Sequence, residues 1–219
     1  MFMKTIVITS QKGGSGKTML TAHLSIEAER AGDGPVWLLD ADRQATLTRW
    51  HERRTIETPQ LGLIPLAQLA AGLEALAKQH GAKLCLIDTA PTISAQTSEI
   101  IDLADLILIP VRPSPSDLWS VAETVELVKT TQKQFLFILT QVKTRANITA
   151  QAAAALSQHG RVAQAFISDR VAYAAAMTGG NSAPEIGRGP AGMEIAALWD
   201  EVKSAFHEIL KTGKKVANG

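Results

Sequence analysis

A chain of 219 residues with 46% apolar content can bury one substantial core. Its formal net charge of +1 makes no bulk demand for nucleic acid, and a single cysteine, Cys85, excludes an internal disulfide framework or a cysteine-built metal or iron–sulfur site within one chain. No stretch approaches the roughly 18 apolar residues of a membrane span, and the apolar run near Met1 is too short for a signal peptide, so the cytoplasm is the expected compartment.

Taken in chain order, Thr5-Ile6-Val7-Ile8 predicts a strand, and Leu20 to Ala31 carries helical periodicity. Between them lies Gln11-Lys12-Gly13-Gly14-Ser15-Gly16-Lys17-Thr18. Strand, glycine-rich turn and helix in that order make a phosphate cradle. Small residues let backbone N–H groups converge on a phosphate, and the helix N-terminus adds positive potential. In that cradle Lys17 reaches the β- and γ-phosphates and the Thr18 hydroxyl ligates Mg²⁺. Gln11 stands where the ordinary loop has glycine, and a second lysine, Lys12, follows it. A lysine so early in the loop points away from its own phosphates unless something recruits it.

Pro35 to Leu39 predicts a second strand, ending in Asp40-Ala41-Asp42. Ala45 to Arg54 reads as helix, Leu61 to Leu66 as a short extended piece and Ala67 to His80 as helix. Leu84 to Asp88 and Asp105 to Val111 are strands with a helix, Ala95 to Leu103, between them. Leu118 to Thr131 is an amphipathic helix that Ser116 or Asp117 can cap, and Phe135 to Gln141 is a strand. Beyond it come an alanine-rich helix, Thr149 to His159, a last strand, Val162 to Ile167, and a short helix, Asp169 to Met177. A loop-rich stretch, residues 179–190, precedes a helix from Gly192 to Leu210 and a polar tail from about 212.

Continuous apolar strands are buried on both faces. The expectation is therefore an α/β fold: one domain over residues 1–219, with a doubly wound, mostly parallel sheet between helix layers. Ligands are expected at the carboxyl ends of its strands. Asp40, Asp42 and Asp88 fall at those ends. A carboxylate closing an apolar strand is costly unless it faces a cation or caps a helix. Asp88 is accordingly the candidate Mg²⁺ holder, with a helix or turn cap as the alternative role. Cys85, inside its strand, reads as a small core residue.

The loop KGGxGKT, with Lys12 and Lys17, resembles the deviant Walker A loop of the ParA/MinD group of P-loop ATPases. The resemblance implies that Lys12 reaches the nucleotide of a second subunit across a sandwich homodimer. Asp40-Ala41-Asp42-Arg43-Gln44 resembles the group's DxDPQ motif. By position, Asp42 then orients the attacking water and Asp40 supports the Mg²⁺ shell, while Arg43 replaces the usual proline, adding charge and loosening φ. The implied catalytic residues are Lys12, Asp42 and Lys17, and the implied metal residues Thr18, Asp40 and Asp88. ATP is held by Gly13, Gly14, Ser15, Gly16, Lys17, Thr18 and Met19, with Gln141 and Asp169 toward the adenine. The segment Ile109 to Asp117 resembles the group's strand–turn–helix at the dimer interface.

A start directly on the first strand makes the chain similar to the small ParA type, such as ParF. The resemblance implies a weak ATPase, cytoplasmic and nucleoid-associated, that partitions a plasmid or chromosome. Its ATP dimer binds non-specific DNA and a centromere-binding ParB/ParG-like protein stimulates hydrolysis. DNA contacts would come from Arg145, Arg161, Arg170, Arg188, Lys203, Lys211, Lys214 and Lys215, with Arg170 and Arg188 first because they flank the loop-rich segment. Two alternatives share the ATPase. One is a MinD-like membrane-positioning protein, disfavoured because Glu201 and Glu208 on the C-terminal amphipathic helix oppose anionic lipid. The other is an orphan ParA-like ATPase that positions a protein cargo.

Overall fold

A computed structural model describes residues 3–92, 94–143, 147–187 and 189–217, with the backbone alone of residues 207 and 209–217. Six parallel strands form one sheet: β1 (Lys4–Ile8), β2 (Val36–Ala41), β3 (Gln60–Leu61), β4 (Leu84–Thr89), β5 (Leu106–Val111) and β6 (Phe135–Leu139), in the order β3-β2-β4-β1-β5-β6. The helices are α1 (Lys17–Arg30), α2 (Thr46–His51), α3 (Leu69–Gln79), α4 (Ala95–Asp102), α5 (Pro115–Thr130), α6 (Asn147–Ser157), α7 (Val171–Thr178), α8 (Ala183–Ile186) and α9 (Pro190–Ala217).

Strand alternation sorts the apolar residues into two layers. Ile6, Ile8, Leu38, Leu86, Leu108 and Ile138 face α1, α2, α7, α8 and α9, where Leu20, Trp50, Tyr173 and Trp199 meet them. Val7, Leu39, Ile87, Ile107, Ile109 and Phe137 face α3, α4, α5 and α6, where Leu73, Ile101, Val125 and Leu156 complete the second layer. Every residue of β4 and β5 is buried, as their unbroken apolar runs require. Cys85 lies in the second layer with no solvent exposure, and burial pushes its thiol up, which fits an inert core residue.

This topology positions the site. The chain leaves β1 toward β2 on one side and leaves β4 toward β5 on the other, so the connections diverge around β1 and open a crevice at the strands' carboxyl ends. The register sets Ile8 opposite Asp88 and Asp40 opposite Asp88. The end of β1, which leads into the glycine-rich loop, therefore shares one edge with both acidic strand ends. Among the described residues, no helix is long and apolar enough to cross a membrane.

Several boundaries differ from the expectations above. Helix α5 starts at Pro115, not Leu118, and its cap is Ser114, whose side chain accepts from the Asp117 N–H. Proline suits the first helical turn, where its missing N–H has no partner to lose. Residues 162–167 form no strand. They meet the sheet through the bridges Phe137 to Val162 and Val142 to Ser168 and through the Ile167 N–H, which donates to the Leu139 carbonyl, while the N–H groups of Gln164 and Ala165 donate to the Glu201 carboxylate instead of a ladder. The extended piece at 61–66 pairs only at Gln60–Leu61 and then tightens into a 3₁₀ turn at Leu66–Gln68. The loop-rich stretch contains α8, closed by a reciprocal Ser182–Glu185 capping box. Helix α9 continues to Ala217, so the polar segment after 212 is helical.

Candidate nucleotide site

The loop after β1 turns through Gly14 (φ 72°) and Gly16 (φ 99°), left-handed positions at which a side chain is strained. Gly16 is also the residue from which α1 springs. The end of β6 clamps this loop from the side. Thr140 Oγ1 donates to the Ser15 carbonyl and Gln141 Nε2 to the Gly14 carbonyl, both at 2.7 Å. From the other side Gln11 Nε2 donates to Glu123 Oε2 of α5 at 2.5 Å.

The Lys17 side chain is buried and folds back on the loop, donating from Nζ to the Ser10 carbonyl at 3.2 Å and the Lys12 carbonyl at 3.4 Å. Burial lowers its pKa, and the nearby Asp88 and Asp42 carboxylates resist that shift. Thr18 Oγ1 donates to Asp88 Oδ2 at 2.5 Å. Burial pushes the Asp88 carboxyl up to about 7; the Thr18 hydrogen bond and Lys17 oppose this, and Asp40 and Asp42 add to it. Asp88 Oδ1 and Ser15 Oγ are buried without a hydrogen-bond partner among the described residues.

Unsatisfied buried polar atoms call for a ligand or water, and these two lie in the loop and at the strand end beside it. The donor set suits Mg²⁺ with a polyphosphate. Such a site takes one or two protein oxygens, the rest coming from phosphate and water. Thr18 and Asp88 would supply those oxygens. Among the described residues no group of three or more His, Cys, Asp or Glu forms an all-protein metal site.

The other expected residues are placed as follows. Asp42 is half-buried and its Oδ1 accepts from the Gln44 N–H at 2.9 Å. Asp40 is committed elsewhere: Oδ1 accepts from the Asp42 N–H at 3.1 Å, while Oδ2 accepts from the Thr48 N–H at 2.8 Å and its hydroxyl at 3.0 Å. It ties the start of α2 to the end of β2, a role the motif did not reveal. Lys12 is half-buried, and its ammonium meets no acceptor among the described residues. Gly13 is exposed, and Met19 packs on the first core layer from the first turn of α1. Gln141 holds the loop through its Nε2, which donates to the Gly14 carbonyl.

Asp169 hydrogen-bonds through its N–H to the Val142 carbonyl and lines a separate cavity of about 500 Å³ with Arg170, Ala183, Ile186 and Gly187. No contact joins it to the loop among the described residues. Arg170 donates from Nε and Nη2 to Glu194 Oε1 at 2.9 and 2.7 Å, so its charge is locally balanced. Arg161 pairs with Glu208, and Lys203 lies 3.1 Å from Asp200 and 3.8 Å from Asp33. Arg145 and Arg188 lie outside the described residues, as do the side chains of Lys211, Lys214 and Lys215.

One pair at the loop escaped sequence reasoning. Arg112 donates from Nε and Nη2 to the two oxygens of the buried Asp117, at 2.8 and 3.1 Å. A β-carbon placed on Gly14 would sit 3.7 Å from Arg112 Nη1. The only sequence signal was a charged pair across the Pro113-Ser114-Pro115 turn.

A sequence profile of the VirC1 protein family matches residues 3–180. The chain belongs to the VirC1 protein family. It is 27% identical over 214 residues to the maintenance of carboxysome distribution protein A of Halothiobacillus neapolitanus, covering 94% of this chain and 96% of that protein. It is 30% identical over 128 residues to the protein ParA of Rhizobium radiobacter, where 58% of this chain spans 56% of the relative. The ATP complex of a Cyanothece McdA variant superposes with a TM-score of 0.74 at 23% identity, over 94% of this chain and 96% of that one. The VirC1 family member described here thus has the ParA/MinD-type P-loop fold, a parallel sheet between helix layers.

Proposed function

We propose that this VirC1 family protein is an ATP-dependent switch: Mg²⁺–ATP joins two copies, and hydrolysis separates them. One observation carries the reading. The loop brings a buried Lys17 and the Thr18–Asp88 pair to one strand edge, with unsatisfied oxygens on Ser15 and Asp88. Loop N–H groups and Lys17 hold the phosphates, Thr18 and Asp88 hold Mg²⁺, and Asp42 orients the water. Phosphoryl transfer needs little more than placement and charge neutralisation. Lys12, whose ammonium has no partner in its own chain among the described residues, serves the nucleotide of the second copy.

The cargo reading is DNA partition through non-specific DNA binding by the ATP dimer, with hydrolysis stimulated by a centromere-binding protein. It is supported by the family and by the likeness to a protein named ParA. Positioning of a protein body is the second reading. It is favoured by the alignment over 94% of the chain with a carboxysome distribution protein. DNA binding by the pure protein with ATP, with ADP and without nucleotide, across a salt series, tests the first. Binding confined to ATP and falling steeply with salt supports it. Absence of binding in every state, with ATP still dimerising the protein, transfers the proposal to a protein cargo.

A further inference from the structure

Arg112 is held in an unusual way. Its Nε and Nη2 edge is taken by Asp117, a carboxylate only 2% exposed, while the arginine side chain remains 31% exposed. Asp117 is fixed in turn by the Ser114 hydroxyl at 2.6 Å and the Ser116 hydroxyl at 3.3 Å. Burial alone would raise the Asp117 carboxyl, but the Arg112 and Ser114 hydrogen bonds hold it below the usual carboxylate range. One edge of the planar guanidinium is thereby spent. The other end, Nη1, meets no acceptor among the described residues and lies beside Gly14 of the phosphate loop. Its donors are fixed in direction because guanidinium is planar.

We propose that Arg112 is a further binding residue for the polyphosphate: its free Nη1 donors, aimed by Asp117, contact a phosphate of the nucleotide held by the loop. This rests on the nucleotide reading given above. The arrangement differs from a purely structural ion pair in leaving a charged, oriented donor at the mouth of an anion site. Structural pairing needs only one edge of the guanidinium and no particular loop next to the other. The strand end supplies the position: β5 stops at Val111, so the next residue emerges at the carboxyl edge of the sheet beside β1. Pro113 and Pro115 stiffen the turn that carries Asp117 back to it.

The test measures dissociation constants of Mg²⁺ with a non-hydrolysable ATP analogue for the full chain, together with melting without nucleotide. Two variants are needed, because Arg112→Ala strands a buried carboxylate and can fail to fold for that reason alone. Arg112→Met combined with Asp117→Asn removes both charges at nearly constant shape. Arg112→Lys keeps the charge, but one ammonium cannot grip Asp117 through two donors and also reach the loop. The expected result is about a tenfold rise in the dissociation constant for the double variant and at least about threefold for Arg112→Lys. The apo melting curve of each stays cooperative. Affinities within about twofold of wild type in both folded variants would overturn the role of Arg112 and leave the nucleotide reading standing. Failure of the wild-type chain itself to bind the analogue would overturn both.

Discussion

Thr18 and Asp88, 70 positions apart in sequence, meet through a 2.5 Å hydrogen bond from hydroxyl to carboxylate, and the second Asp88 oxygen is buried with no partner among the described residues. The start of α1 and the end of β4 are thereby joined around one buried carboxylate. Asp88→Asn keeps the shape and the Thr18 contact but removes the anion. The expected outcome is a folded protein in which adding Mg²⁺ changes ATP affinity by no more than about twofold. Titration calorimetry with and without Mg²⁺ checks it, and full Mg²⁺ enhancement in the variant would remove Asp88 from the metal site.

The two loop lysines should separate in their effects. Lys17 is buried against the loop carbonyls, so Lys17→Ala is expected to lower ATP affinity by at least about tenfold. The Lys12 ammonium meets no acceptor among the described residues, so Lys12→Ala should leave ATP affinity nearly intact and lose stimulated hydrolysis. Nucleotide binding and turnover, measured on both variants with the stimulating partner, check this. Equal loss of binding in both would contradict a role for Lys12 on the second copy.

His23 gives a pH dependence. It lies on α1 with no solvent exposure, its ring 5.2 Å from that of Tyr173. Burial lowers its pKa to about 4, against opposing effects from Glu185 and Tyr173. The folded state therefore holds a neutral imidazole that the unfolded chain protonates near pH 6.5. Its contribution to stability is fully present above pH 6.5 and is lost as pH falls toward 4. The loss amounts to about 3 kcal/mol. His23→Leu should flatten the stability curve in that window, as read by urea unfolding at several pH values. An unchanged slope would show that other groups set it.

Arg54 is a second buried charge with a defined partner. Its side chain is 2% exposed, stacks 4.9 Å from the Trp50 ring centroid and pairs with Glu185 at 2.8 Å, while also donating to the Gly180 and Thr58 carbonyls. Removing one partner strands the other, so Arg54→Ala should cost about 3–5 kcal/mol. Arg54→Met with Glu185→Gln should cost clearly less, since glutamine still serves the α8 capping box. Denaturant unfolding of both variants decides. The same pair links the segment after α2 to α8, so the α2 region is fastened to the C-terminal half.

The phosphate loop, the acidic strand ends and the parallel sheet were legible in sequence because each is written in consecutive residues with a fixed local meaning. A buried parallel strand is an apolar run, and a loop with two lysines is an eight-residue string. Much of what escaped depends on partners far along the chain. Residues 162–167 have the composition of a strand, yet Glu201 on α9 draws the Gln164 and Ala165 N–H groups out of the ladder. The contact of Gln141 with the Gly14 carbonyl, 127 positions away, has no local signal either. The motif read Asp40 only as a support of the Mg²⁺ shell, and its contacts with Thr48, eight positions on, were not written in it. Ser116 and Asp117 were the caps expected from sequence, but with Pro115 at the helix start the cap is Ser114.

The switch proposed for this chain turns on Mg²⁺–ATP joining two copies of it. Sedimentation velocity of the Asp42→Ala variant, slowed in hydrolysis by loss of its water-orienting carboxylate, tests that step most directly. The predicted result is a dimer with Mg²⁺–ATP and a monomer with Mg²⁺–ADP or no nucleotide. The same sedimentation coefficient in all three conditions, with ATP binding verified in the same sample, would contradict it.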